Sequence, residues 1–172
     1  MRKIVLAIAL LALMAVAAVG QSNNPAAKPI VVKAARMFDG KADRVVTPGL
    51  VVVAEGKIVA VGASAAVPPD AEVIDLGDAT LLPGFIDAHT HLSSEASDDW
   101  KQARLDRLQK TAAEKALDAS VPARKTLLAG FTTIRDVGSA DFVDVGLRNA
   151  IRNGKIIGPR LLVAVNGIVS TG

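Results

Sequence analysis

The sequence predicts an α/β protein in two parts, and three observations carry that prediction. Residues 30–82 read as short apolar runs separated by turn residues. From Pro83 onward the pattern is strand, helix, strand, helix, strand, the grammar of parallel α/β structure. His89 and His91, the two histidines of the chain, stand at i and i+2 in the first of those strands, where residues two apart point to one face.

In chain order, Met1 to Gly20 reads as a secretory leader. Arg2-Lys3 gives a positive start, Ile4 to Val19 an apolar stretch, and Ala18-Val19-Gly20 a small-residue cleavage site before Gln21. The apolar stretch is shorter than the roughly 20 residues that span a bilayer, so an uncleaved anchor is the alternative reading and no stable membrane anchor is expected after cleavage. This implies an exported protein, periplasmic or extracellular. Residues 21–29, with Asn23-Asn24-Pro25, read as a linker.

The segment 30–82 is expected to form a small β subdomain. Ile30 to Met37 is β-like, and Asp39-Gly40 turns the chain. Leu50–Ala54 and Ile58–Val61 form a hairpin around Glu55-Gly56-Lys57, with glycine where positive φ is needed. Pro68-Pro69-Asp70 is a further turn, and Glu72–Leu76 and Thr80–Leu82 complete the strands. No titratable cluster stands out here, which marks the segment as scaffold.

The segment 83–172 is expected to be the start of a larger α/β domain. Leu81, Leu82, Phe85, Ile86 and Ala88 make a nearly continuous apolar run, as in a parallel strand covered on both faces. Pro83-Gly84 interrupts its start. Ser93 to Asp99 is a polar loop, with Ser97 expected to cap a helix whose first turn holds Asp98 and Asp99. Leu105, Leu108, Ala112 and Ala116 recur at helical spacing, and Ser120-Val121-Pro122 is expected to break that helix and start a second. Gly130 stops it. Phe131–Val137 is the next strand. Val143, Leu147, Ala150 and Ile151 mark an amphipathic helix ended by Asn153-Gly154, and Pro159–Val165 is the third strand.

Composition excludes several classes. Cysteine is absent, so there is no disulfide framework, no thiolate metal site and no lipidated N-terminal cysteine. The net charge is +3, but Arg2 and Lys3 in the leader supply two of those charges. No basic patch interleaved with aromatics remains, which argues against nucleic acid. Gly146, Gly154 and Gly158 are spaced as caps and turns, not as a phosphate cradle.

The chemistry is concentrated in LLPGFIDAHTHL, residues 81–92. A histidine pair near a strand end can be ordinary surface polarity. Two imidazoles on one rigid strand are also half of a four-ligand zinc site, ordered at low entropic cost. Asp87 stands a further two residues back. The stretch PGFIDAHTHL resembles the first-strand signature of the amidohydrolase superfamily, metal-dependent hydrolases built on a (β/α)8 barrel. GFTTIRDVGS and LRNAIRNGKIIGPRLLVA resemble the second and third βα units of its imidazolonepropionase-like and Xaa-Pro dipeptidase-like members.

The resemblance implies that the chain holds the first three strands of a (β/α)8 TIM-type barrel, incomplete, preceded by a small β-sandwich. It implies that His89 and His91 ligate a divalent metal, Zn²⁺, one or two ions in the complete protein. Asp87 is a candidate to orient a ligand, with a cap of the strand end as its competing role. Asp136, at the end of the second strand, is a second such candidate, against a structural ion pair with a cation such as Arg135. In the family the remaining ligands lie later: a carboxylated lysine, two more histidines and an aspartate that handles the proton. No catalytic residue is therefore expected within this chain. The implied function is hydrolysis of C–N bonds in a small amide, dipeptide or cyclic amide. The alternative is a non-catalytic truncated remnant. Strand faces left without partners would favour self-association into a homo-oligomer.

Overall fold

The computed structural model describes residues 27–94, 98–168 and 170. The expected leader, the first part of the expected linker and the expected Ser97 cap lie outside the described residues. The chain is mixed α/β and divides into two compact units between Leu82 and Pro83.

In the first unit, strands β1 (Ile30–Ala34), β3 (Gly49–Ala54), β4 (Lys57–Val61) and β5 (Glu72–Asp75) form a sheet of order β4-β3-β1-β5. β1 is antiparallel to β3 and parallel to β5. The β3–β4 turn places Glu55 at φ 52 and Gly56 at φ 71, the paired left-handed conformation whose twist matches the flanking strands. Val31, Leu50 and Val52 form the core of this unit. Ile30–Met37 is two strands rather than one. β2 (Arg36–Met37) leaves the first sheet and pairs in parallel with β6 (Thr80–Leu81). Ala35 marks the break, its N–H donating to Gly77 O at 2.8 Å.

The second unit is built on a parallel sheet of order β7-β8-β9, with β7 at Phe85–Thr90, β8 at Phe131–Asp136 and β9 at Arg160–Val163. Among the described residues three helices accompany it: α1 (Trp100–Gln109), α2 (Ala112–Leu128) and α3 (Val143–Arg152). α2 packs on β8, α3 on β9, and the two helices on each other. Leu92, Ala119, Ala123, Ile134, Val143, Leu147 and Leu161 make the core. The small Ala119 and Ala123 let α2 approach closely.

Four expectations are corrected here. The helical segment does not break at Ser120-Val121-Pro122, because α2 runs through Pro122. Ala119 and Ala123, 1% and 0% exposed, bury this turn on either side of the proline. Such packing outweighs an interior proline's cost of about 3 kcal/mol. The break falls instead at Lys110-Thr111. Thr111 caps α2 by accepting from the Glu114 N–H, while the Glu114 carboxylate accepts from the Thr111 N–H at 2.8 Å, a reciprocal capping box. α1 is capped by the Asp99 side chain, which accepts from the Gln102 N–H at 2.9 Å. Leu105 and Leu108 are exposed and add nothing to the core. Phe85 and Ile86 of β7 are also exposed, at 48% and 71%, so the apolar run is not covered on both faces.

Candidate functional site

β7 carries the site to its C-terminal end. A bulge between Asp87 and Thr90 breaks the regular pairing of β7 with β8, since Asp87 pairs with Ile134 and Thr90 with Asp136. Bulges re-aim side chains and are common beside functional sites. The Asp87 carboxylate stabilises the bulge by accepting the His89 N–H at 3.0 Å. Arg135 reaches across from β8, its Nε donating to Ala88 O at 2.7 Å. His91 follows the strand, and Leu92 after it is buried in the core, which anchors the end of the segment.

His89 and His91 are both exposed and lie side by side, with ring centroids 5.5 Å apart and planes 73° to each other. His91 Nδ1 lies 2.9 Å from Gly138 O. A carbonyl oxygen only accepts, so this bond places a proton on Nδ1, and in the neutral ring the lone pair is then on Nε2. A metal–imidazole bond of 2.0–2.1 Å puts each ring centroid roughly 3.2 Å from the ion, and two such rings at a tetrahedral angle are about 5.2 Å apart. The observed 5.5 Å is close to that figure, the spacing that a shared divalent ion requires of two ligating rings. Among the described residues no group of three or more His, Cys, Asp or Glu side chains gathers in one place.

Asp136 is fully buried. It forms no ion pair with Arg135. Its Oδ2 accepts from the Leu92 N–H at 2.9 Å and its Oδ1 from the Gly138 N–H at 3.1 Å. Asp87 is half-buried and serves the backbone of the bulge. Of the four residues singled out from sequence, His89 and His91 come together as rings, while Asp87 and Asp136 each hold backbone beside them.

Asp144, not singled out from sequence, is the second buried carboxylate of this unit at 1% exposed. It accepts from the Val165 N–H at 3.0 Å, which ties α3 to the turn after β9. Its sequence signal is an acid in the first turn of a helix, which equally describes a solvated residue favoured by the helix dipole.

A groove of ≈ 970 Å³ opens beside His91. Gly138, Ser139 and Gly167 line it on the strand-end side, and Gln102, Lys110 and Lys115 on the helix side. Its cations are paired. Lys110 meets Asp118 at 2.9 Å and Asp106 at 3.3 Å, and Lys115 meets Asp141 at 2.8 Å. The hydrogen bond to Asp118, then that to Asp106, holds the Lys110 ammonium above its ordinary pKa. The Gln102 amide, then Lys110, holds the Asp106 carboxyl below its own.

Comparison with known proteins adds to this geometry. Residues 80–168, more than half of the chain, match the model of the amidohydrolase family. The imidazolonepropionase of Idiomarina loihiensis is 44% identical over 63 residues, which are 36% of this chain and 15% of that protein. The allantoinase of Streptomyces avermitilis is 38% identical over 73 residues, 42% of this chain and 16% of its own length. Among solved structures, a Xaa-Pro dipeptidase with methionine bound in its active site superposes with a TM-score of 0.71 at 31% identity, covering 82% of this chain and 34% of the dipeptidase. The chain thus spans about a third of that structure and under a fifth of these curated relatives.

Proposed function

Because the chain belongs to the amidohydrolase family, we propose that it is the opening part of a metal-dependent hydrolase of carbon–nitrogen bonds. The observation that carries this reading is the His89–His91 pair, with the His91 Nδ1–H held by Gly138 O so that the Nε2 lone pair is left free to ligate. The parallel β7-β8-β9 sheet supports a (β/α)8 barrel of which these are the first three strands, with the site at the C-terminal ends where such barrels place their chemistry. In the same reading the first unit belongs to a small β-sandwich that precedes the barrel.

His89 and His91 hold the metal in this proposal, and Zn²⁺ is the ion we favour for two imidazole ligands. Lewis acidity toward a carbonyl oxygen and toward water is what such an ion supplies when bound. The chain's own residues do the positioning. Asp87 shapes the bulge under His89, Gly138 O keeps the proton of His91 on Nδ1, and the buried Leu92 anchors the strand end. The groove beside His91 has room for a small amide, dipeptide or cyclic amide. We further propose export, on the strength of the charged and apolar start of the sequence.

A second reading concerns the chain by itself. Two imidazoles are fewer than the three protein ligands of an ordinary catalytic zinc site. The described residues gather no larger set, which favours a chain that turns nothing over alone. Elemental analysis separates these statements. We expect the full-length protein to bind zinc and its His89→Ala, His91→Ala double variant to lose it, and an assay with zinc to find no hydrolysis of a dipeptide and cyclic-amide panel by residues 21–172. Unchanged metal content in the double variant would refute the ligand assignment. Metal-dependent turnover by residues 21–172 would refute the second reading.

A further inference from the structure

Resting on the assignment of His91 as a ligand, we propose that Asp136 is a positioning residue for His91. It acts through the Gly138 carbonyl and holds the imidazole with its proton on Nδ1 and its lone pair on Nε2. A buried carboxylate is costly unless hydrogen bonds replace the lost water. Both oxygens of Asp136 are satisfied by backbone, Oδ2 by the Leu92 N–H at 2.9 Å and Oδ1 by the Gly138 N–H at 3.1 Å. Leu92 is the neighbour of His91 in the chain. Gly138 is the residue whose carbonyl receives the His91 Nδ1–H, at 2.9 Å. The carboxylate therefore closes a ring of contacts that fixes the backbone of the histidine and the acceptor of its proton together.

The same acceptor is braced from the other side. Ser139 N–H donates to Val165 O at 3.0 Å, and Val165 N–H donates to the buried Asp144 Oδ2 at 3.0 Å. Val165 is held at φ 68, a left-handed conformation that a β-branched residue adopts only when its surroundings impose it. Gly138 sits close against this turn, where an added Cβ would meet Gly167 N at 3.1 Å. The hydrogen bond at one ring nitrogen decides which nitrogen is free for a metal. Here that bond ends on the carbonyl of Gly138, whose own N–H is held by Asp136 and whose next amide, Ser139 N–H, bonds the Val165 turn that Asp144 holds. His89 has its backbone N–H on Asp87 at 3.0 Å and its ring against that of His91, but takes no bond from Asp136 or Gly138, whose side-chain and carbonyl contacts go to Leu92, Gly138 and His91.

The test is ¹⁵N spectroscopy of the metal-free chain labelled at histidine, at about pH 8.5, roughly two units above the ordinary imidazole pKa. The wild type is expected to show a protonated Nδ1 and an unprotonated Nε2 at His91. Asp136→Asn offers one acceptor oxygen for two amides. It is expected to move the His91 Nδ1 resonance from the protonated toward the unprotonated range, with a larger change at His91 than at His89. A wild-type His91 protonated at Nε2 would overturn the proposal, and so would a folded Asp136→Asn chain with an unaltered His91. If that variant does not fold, hydrogen exchange of the wild type decides. The Leu92 and Gly138 amides must both be protected, and free exchange of either would overturn the clamp. A positioning effect that fails while the double-histidine variant still loses metal rejects this proposal alone. The reverse outcome rejects the ligand assignment alone.

Discussion

Replacing Ile134 with alanine tests whether β8 is the keel of the second unit. Ile134 is 0% exposed and is packed among Leu92, Ala119, Ala123, Val143, Leu147 and Leu161. The substitution removes three carbon atoms. At about 0.8 kcal/mol each, the transfer loss is roughly 2.4 kcal/mol. β8 is hydrogen-bonded on both edges, to β7 and β9, so the void closes only in part. A residual cavity of roughly 50 Å³ at about 24 cal/mol per Å³ adds about 1.2 kcal/mol. The expected total is about 3.6 kcal/mol, against about 1 kcal/mol for Ile134→Val. Leu162→Ala, on the neighbouring strand but 54% exposed, should cost under about 1 kcal/mol. Urea denaturation of the three variants, compared at unchanged slope, measures these values. A cost below about 1 kcal/mol for Ile134→Ala, or parity between Ile134→Ala and Leu162→Ala, would refute the assignment of the core.

Thr111→Ala should cost about 0.5–2 kcal/mol by removing the side-chain cap of α2, read as a lower thermal midpoint. The Glu114 carboxyl is held below its usual pKa, first by the Thr111 N–H. Its contribution is therefore present above the unfolded carboxylate value and lost as pH falls through the lowered folded one. Glu114→Gln should flatten that acidic limb, and an unchanged profile would count against the capping box. Export predicts cleavage near Gly20. Mass spectrometry of the mature N-terminus tests it, and intact Met1 in a soluble cytoplasmic fraction would contradict it.

Sequence by itself determined the order of elements and the place of the histidine pair, because both rest on short-range physics. Gly130, at φ 96, ends α2 because a residue without Cβ adopts that conformation freely. The apolar face of α3 was readable from spacing, and Val143 and Leu147 on it are buried. The capping box of α2 was equally local, in Thr111 and Glu114, but Pro122 was the louder signal for a break. Its strength was overruled by the burial of Ala119 and Ala123, which depends on what α2 packs against. The roles of the carboxylates were decided by tertiary structure alone. Asp136 reaches Leu92 across 44 residues, Asp144 reaches Val165 across 21, and His91 meets Gly138 O across 47. A buried acid takes whichever amides the fold brings to it, and no local pattern names them.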